Sequence, residues 1–243
     1  MPALFTTAAR ETLRCLRNKT MLFQQHPSSD LVALYQRRPF QGQVPEKASI
    51  IFLSSDANYS PEISRHSFFA RILEYHADGV SFWKRHGCHH PFLHPEYPLN
   101  RSTGGVPFHR NFSKLGLGPD HADHIAFLEL LDVPTIGNRS ADTAQYQKLL
   151  LGSLPHLEYL SKLMMGDGHR LFFVARGVMK DMAGLLESKR LFPWLYEPRN
   201  SDGWSCGCLR GNAVKEIFHF SSAQIHGQLR EIRTALDGWL TGE

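Results

Sequence analysis

The stretch ASIIFLSSDANYSP at residues 48–61 constrains the fold more than any other part of this sequence. Its first half is an uninterrupted apolar run, which is typical of a strand buried on both faces in a parallel sheet. Its second half is abruptly polar and contains Asp56 and Asn58. Open α/β sheets bind ligands outside the carboxyl ends of their strands. The stretch therefore predicts a ligand-facing carboxylate at Asp56. A turn whose polar residues only cap the next helix is the alternative.

The remaining chain repeats strand-then-helix units. Apolar runs at residues 125–131, 170–175 and 213–220 predict three further strands. Helical patterns cover residues 29–37, 64–87, 141–165 and 177–188, and the segment from 221 to the end. Such repeats favour a parallel sheet with helices on both faces. We therefore predict an α/β fold of three layers, α/β/α, around a central, mostly parallel four-stranded sheet.

Length and composition favour one domain without a membrane span. The 243 residues are 42% hydrophobic and 21% charged, which suits a single α/β domain covering residues 1–243. Residues 3–18 form an amphipathic pattern, so we expect residues 1–45 to be a helical extension packed on that domain. No run approaches 18 apolar residues, and charges enter the N-terminus early. The four cysteines lack disulfide spacing, which favours a cytoplasmic location, and we expect a monomer.

Residues 86–124 are rich in Pro, Gly and His and have few apolar runs. They predict a long loop, which is usually functional or flexible. The sequence HGCHH at residues 86–90 resembles a metal site, but a zinc site needs a second, properly spaced ligand pair, and none is evident. We therefore predict surface histidines, no bound metal and no cofactor. A metal-dependent hydrolase built on residues 86–94 remains the alternative.

A second strand end resembles the one at Asp56. His219 closes the last apolar run, and Ser221 opens an S-x-x-Q capping box at the start of the terminal helix. A helix N-terminus offers free N–H groups to an anion. In a parallel sheet both strand ends share one edge, so Asp56 and His219 are predicted to converge there. The alternative is that His219 only bonds to backbone and Ser221 only caps.

Five segments carry a resemblance to a known family. They are residues 54–58, GVSFW at 79–83, LLDVP at 130–134, RLFFVA at 170–175 followed by Arg176-Gly177, and His219-Phe220-Ser221. In order and spacing they resemble the uracil-DNA glycosylase superfamily, from about residue 46 to residue 240. The pairing of Asp56 with His219 resembles the uracil-specific branch, whereas Phe82 and the turn after Asp132 resemble the mismatch-specific branch.

The resemblance implies a DNA glycosylase that hydrolyses the N-glycosidic bond of a damaged or deaminated base without metal or cofactor. Asp56 would position the attacking water and support an oxocarbenium-like transition state, and His219 would donate a hydrogen bond to the departing base. The implied base contacts are Ser55, Asn58, Phe82 and Asp132, and the implied DNA contacts are Ser60, Arg110, Lys114, Ser221 and Ser222.

The chain departs from the family pattern at several of these positions. Ser54 and Ala57 replace a glycine and a proline, and Asp132 replaces the asparagine that reads uracil. A carboxylate has no donor for a carbonyl, which favours a base with an amino group. The position of the expected apolar wedge is occupied by Ala223, which is too small to fill the gap that a flipped base leaves. Because flipping a paired base costs a few kcal/mol, single-stranded or locally unpaired DNA is the expected partner. The rival interpretation is a catalytically silent nucleic-acid or nucleotide-binding protein on the same fold.

Overall fold

The computed structural model describes residues 22–201 and 203–242, so the predicted helix at residues 3–18 lies outside it. Its strands are β1 (Gln24–Gln25), β2 (Phe40–Gly42), β3 (Ile50–Ser54), β4 (Ile125–Glu129), β5 (Thr135–Ile136), β6 (Leu171–Ala175) and β7 (Ala213–Ile217). Its α-helices are α1 (Ser29–Arg37), α2 (Phe69–Ala77), α3 (Gly79–His86), α4 (Val106–Phe112), α5 (Thr143–Gly152), α6 (Leu154–Met165), α7 (Arg176–Lys189) and α8 (Leu229–Thr241).

The main sheet has five strands in the order β2-β4-β3-β6-β7. Strand β3 pairs in parallel with β4 and β6, and β6 pairs in parallel with β7, whereas β2 runs antiparallel to β4. The predicted α/β class, the mostly parallel sheet and its four long strands are confirmed. The predicted strand count is wrong, because β2 is too short to show a periodic pattern. Two strands, β1 and β2, also lie before residue 45, where only helix was expected.

The side chains of β3 alternate between two hydrophobic clusters, one on each face of the sheet. Ile51 and Leu53 pack with residues of α5, α6 and α7, whereas Ile50 and Phe52 pack with residues of α3, α4 and α8. Successive side chains of a strand point to opposite faces. Apolar residues are therefore expected on both faces of a strand buried on both sides. The first four residues of β3 are apolar, and all five, including Ser54, are buried.

The predicted helical segment at residues 64–87 consists of two helices, α2 and α3, that meet at Asp78. Asp78 ends α2 and caps α3, because its Oδ1 accepts a hydrogen bond from Ser81 N at 2.9 Å. Gly79 begins α3 against the backbone of β2, where an added Cβ would lie 2.8 Å from Gly42 N. This close approach explains why the break in the pattern is a glycine.

Two predictions about local structure are wrong. The cap before the terminal helix is Ser222, whose Oγ accepts from Gln224 N at 3.2 Å, and a 3-10 turn at Ala223–Gly227 precedes α8. The predicted loop at residues 86–124 contains α4 and several 3-10 turns.

In residues 22–201 and 203–242, no helix has the length and apolar character needed to cross a membrane.

Candidate functional site

A cleft of about 800 Å³ opens at the carboxyl edge of the main sheet. The last residues of three neighbouring strands, Ser54, Glu129 and Ala175, contribute to its wall. Six of the predicted site residues also line it, namely Ser55, Asp56, Asn58, Ser60, His219 and Ser221. The structure therefore brings the two strand ends to one place, as the parallel topology requires.

Two hydroxyl groups hold the carboxylate of Asp56. Its Oδ1 accepts a hydrogen bond from Ser55 Oγ at 2.9 Å, and its Oδ2 accepts one from Thr135 Oγ1 at 2.5 Å. Thr135 is itself fixed in β5 and is fully buried. Asn58 braces the same loop, because its Nδ2 donates to Gly137 O at 2.8 Å. Asp56 is thus held in one orientation, with lone pairs left to contact a ligand or water.

His219 presents a neutral ring with a defined tautomer. Its Nδ1 accepts a hydrogen bond from Ser221 N at 3.2 Å, so the hydrogen of the neutral ring lies on Nε2. Burial lowers the pKa of His219 from its usual value, and the Asp56 carboxylate opposes that shift. The ring centroid of Phe108 lies 5.3 Å from that of His219. His219 is therefore a neutral N–H donor beside an aromatic wall.

The turn that carries His219 is held by the buried side chain and the carbonyl of Phe220. Phe220 is 1% exposed and packs against Phe52, Phe108 and Phe112. Its carbonyl accepts a hydrogen bond from Asn111 Nδ2 at 2.6 Å. The buried ring of Phe220 and this hydrogen bond therefore hold the turn in place.

We expect Asn111→Ala to lower the free energy of unfolding by roughly 1–3 kcal/mol, because it leaves the buried carbonyl of Phe220 unpaired. Urea denaturation measures the change. Gln147→Ala, an amide truncation on the exposed face of α5, is the matched control and should stay within about 0.5 kcal/mol of the wild type. Equal stability of the two variants would contradict the anchoring role.

Glu129 is a site residue that the sequence did not single out. It ends β4, is 5% exposed and lines the cleft. Its Oε1 accepts a hydrogen bond from Gln41 Nε2 at 3.0 Å. Within the described part of the chain its Oε2 is buried and has no hydrogen-bond partner. Burial raises the pKa of Glu129 to about 8, and the charge of Asp56 adds to this shift. The sequence does contain one signal for Glu129, since it is a lone carboxyl group within the apolar run at residues 125–131.

Buried rings fix the orientation of Gln41. His90 Nδ1 accepts from Phe92 N at 3.1 Å, so its Nε2 donates to Gln41 Oε1 at 3.0 Å. Gln41 Nε2 then points to Glu129 and to Tyr35 Oη, the latter at 2.8 Å. The ring of His90 stacks on His109 with a centroid distance of 3.7 Å. Burial holds the pKa of both histidines well below its usual value.

The prediction of surface histidines in residues 86–124 is wrong for four of them. His89, His90, His94 and His109 are all buried. They face different partners: His89 Nε2 lies 3.1 Å from His109 Nδ1, whereas His90 Nε2 lies 3.0 Å from Gln41 Oε1. The half-buried His86 faces another group, with its Nε2 2.9 Å from Glu74 Oε1. Among residues 22–201 and 203–242, no group of three or more His, Cys, Asp or Glu side chains is arranged to hold a metal ion.

Phe82 and Asp132 lie outside the cleft, so the stacking and base-reading roles predicted for them do not fit their positions. Phe82 is 1% exposed and packs against Tyr75 and His86. Asp132 Oδ1 accepts a hydrogen bond from Ser153 Oγ at 2.7 Å. Ser222 caps the turn after His219, and the exposed Arg110 and Lys114 also lie outside the cleft.

Two further residues stand in the cleft instead. Phe108, on α4, supplies an aromatic face there. Arg139 supplies a cation, held by an ion pair of 2.7 Å with Asp181 and stacked 3.8 Å above the ring of Tyr146. Their positions depend on tertiary packing, and no local sequence pattern identified them.

No family model, curated protein or solved structure matches this chain. The cleft itself, with its carboxyl groups, its neutral histidine and its aromatic wall, is therefore the guide to function.

Proposed function

We propose that this chain is a DNA glycosylase with the three-layer fold of the uracil-DNA glycosylase superfamily, and that it hydrolyses the N-glycosidic bond of a damaged or deaminated base. The observation that carries the proposal is that Asp56 and His219, from distant parts of the chain, line one cleft. Its volume, about 800 Å³, is within the range of small-ligand pockets. A base turned out of its stack is a ligand of this kind.

The two residues have complementary tasks in that reaction. The bond between C1′ of the sugar and the base nitrogen breaks as positive charge grows on the sugar and negative charge grows on the base. The fixed carboxylate of Asp56 orients the attacking water and stabilises the sugar cation. The Nε2–H of His219 donates to an oxygen of the departing base, where charge develops. Neither task requires a metal or a cofactor.

Phe108 is the residue proposed to stack on the base, in place of Phe82. Base–aromatic stacking contributes about 1–3 kcal/mol per base, so Phe108→Ala should raise KM about 5- to 150-fold. Steady-state kinetics on an oligonucleotide substrate measures this. Phe82→Leu is the contrasting variant: it should lower the free energy of unfolding and leave KM unchanged. A rise in KM for Phe82→Leu alone would return the stacking role to Phe82.

Single-stranded or locally unpaired DNA is the proposed partner. The position where a wedge would fill the gap in a duplex is Ala223, which is small and exposed. Arg139 at the cleft and the exposed Arg110 and Lys114 supply positive charge for phosphates. For Z phosphate contacts on a single strand, log K should fall with log salt at a slope of about −0.7Z.

A base-release assay tests the proposal. The purified protein is incubated with oligonucleotides that carry one uracil, hypoxanthine, xanthine or methylated base, both single-stranded and duplex. Release of at least one base, faster from the single strand, is the expected result. No release from any substrate would overturn the glycosylase function, and salt-dependent DNA binding without release would then identify a silent binding protein.

A further inference from the structure

The buried carboxyl group of Glu129 is the strongest unexplained feature of the cleft. Strand register pairs Glu129 with Ser54, two residues before Asp56, so both carboxyl groups lie at one edge of the sheet. Leaving a buried polar atom such as Oε2 unpaired destabilises the folded protein, because the atom has lost its hydrogen bonds to water. A ligand that pairs with this atom recovers that free energy, and the residue lines the cleft where a ligand binds.

We propose that Glu129 selects the base, by donating the hydrogen of a neutral Oε2–H to an exocyclic carbonyl oxygen. This deepens the proposed glycosylase function and rests on it. The substrate class is then a base that carries a carbonyl where its parent carries an amino group, such as uracil or hypoxanthine. Bases with an amino group at that position, cytosine and adenine, are excluded.

The hydrogen-bond network determines which oxygen of Glu129 carries the hydrogen. His90 occupies Gln41 Oε1, so Gln41 turns only its N–H group toward Glu129. Glu129 Oε1 therefore acts as the acceptor, and the hydrogen of the neutral group lies on Oε2. The free capacity of the group is one donor. A carbonyl oxygen of the base can accept this hydrogen bond. An amino group is itself a donor and leaves the Oε2–H group without an acceptor.

The groups around Glu129 keep it neutral at pH 7. Asp56 is the carboxylate facing it, and its charge opposes a second one. Tyr35, Tyr59 and Tyr75 also face it, and burial raises the pKa of each phenol. On the other sides lie His90, through Gln41, and His156, whose Nε2 is 2.8 Å from Glu129 O. Burial lowers the pKa of both histidines, so they stay neutral.

The sign of the pH dependence follows from these groups. The pKa of Glu129 is about 8, so the donor on Oε2 is present below that pH and is lost above it. From pH 7 to pH 9 the neutral fraction falls about tenfold. A charged carboxylate in the base-reading position, as the sequence predicted for Asp132, would instead favour a base with an amino group.

The test compares Glu129→Gln with the wild type. The amide has the shape of the neutral acid, keeps an acceptor toward Gln41 and keeps a donor at the position of Oε2, but it does not titrate. Wild-type release of uracil or hypoxanthine should fall about tenfold between pH 7 and pH 9, and release by Glu129→Gln should stay level. Glu158→Gln, an exposed glutamate on α6, is the control and should keep the wild-type profile.

Binding of free bases, measured by calorimetry at pH 7 and pH 9, provides a readout that does not depend on cleavage. Uracil and hypoxanthine should bind more tightly than cytosine and adenine, and at pH 9 only Glu129→Gln should retain this binding. Equal or tighter binding of the amino-bearing bases, binding of none of the four, or an alkaline loss that persists in Glu129→Gln overturns the inference. Absence of release with selective binding intact overturns the glycosylase function alone.

Discussion

Asp56→Asn is expected to lower the rate of base release by roughly 10²- to 10³-fold, the loss typical when one group that stabilises transition-state charge is removed. The carboxylate accepts hydrogen bonds from Ser55 and Thr135, and these hydroxyls orient it toward the cleft. The amide keeps the shape of the side chain but removes the negative charge that stabilises the sugar cation. Single-turnover kinetics on a single-stranded oligonucleotide isolates the chemical step.

Asp132→Asn is the matched control, because it makes the same chemical change at a carboxyl group that bonds to Ser153 outside the cleft. We expect its rate to equal that of the wild type. Urea denaturation of both variants separates a loss of activity from a loss of folded protein. An equal loss in the two variants, or full activity in Asp56→Asn, would contradict the role of Asp56.

The sequence predicted the centre of this fold well because the first four residues of β3, Ile50 to Leu53, are all apolar. A strand that is apolar on both faces has to lie inside a sheet, and parallel pairing then brings the carboxyl ends of the strands together. From that one inference follows the prediction that Asp56 and His219 lie at the same edge of the sheet. Strand β2 shows the limit: three residues, Phe40–Gly42, give no periodicity, and they belong to the sheet only through pairing with β4.

The aromatic wall could not be predicted from local pattern. Phe82 and Phe108 both lie on short helices, and both follow small or apolar residues. Phe82 faces Tyr75 inside the protein, whereas Phe108 faces His219 in the cleft. The contact of Phe108 with His219 joins elements that are distant in sequence, so tertiary packing decides which ring faces the cleft.

Glu129 was, in contrast, within reach of the sequence. A carboxyl group inside the run at residues 125–131 has to be desolvated if that run is a buried strand, which raises its pKa and makes it a candidate for function. The parallel pairing of β4 with β3 then places it opposite Ser54. Its partner Gln41 was out of reach, since that contact depends on the unpredicted strand β2.

His219→Ala is expected to lower kcat by about 10²- to 10³-fold, which corresponds to the roughly 2.7–4 kcal/mol lost when one donor to a developing oxyanion is removed. Because Ser221 N holds Nδ1, the free hydrogen of His219 lies on Nε2 and acts on the departing base. An interaction that strengthens only in the transition state changes kcat and leaves KM nearly constant. Steady-state kinetics across substrate concentrations separates the two constants.

Two companion variants decide whether the donor itself matters. His219→Gln retains an N–H donor, so it should recover part of the activity that His219→Ala loses. His226→Ala removes an exposed imidazole from the following turn and should keep the wild-type kcat. A rise in KM at unchanged kcat for His219→Ala would mean that the ring binds substrate without acting on the leaving group. With Asp56→Asn still inactive, the sugar cation rather than the base would then be the point at which this cleft accelerates the reaction.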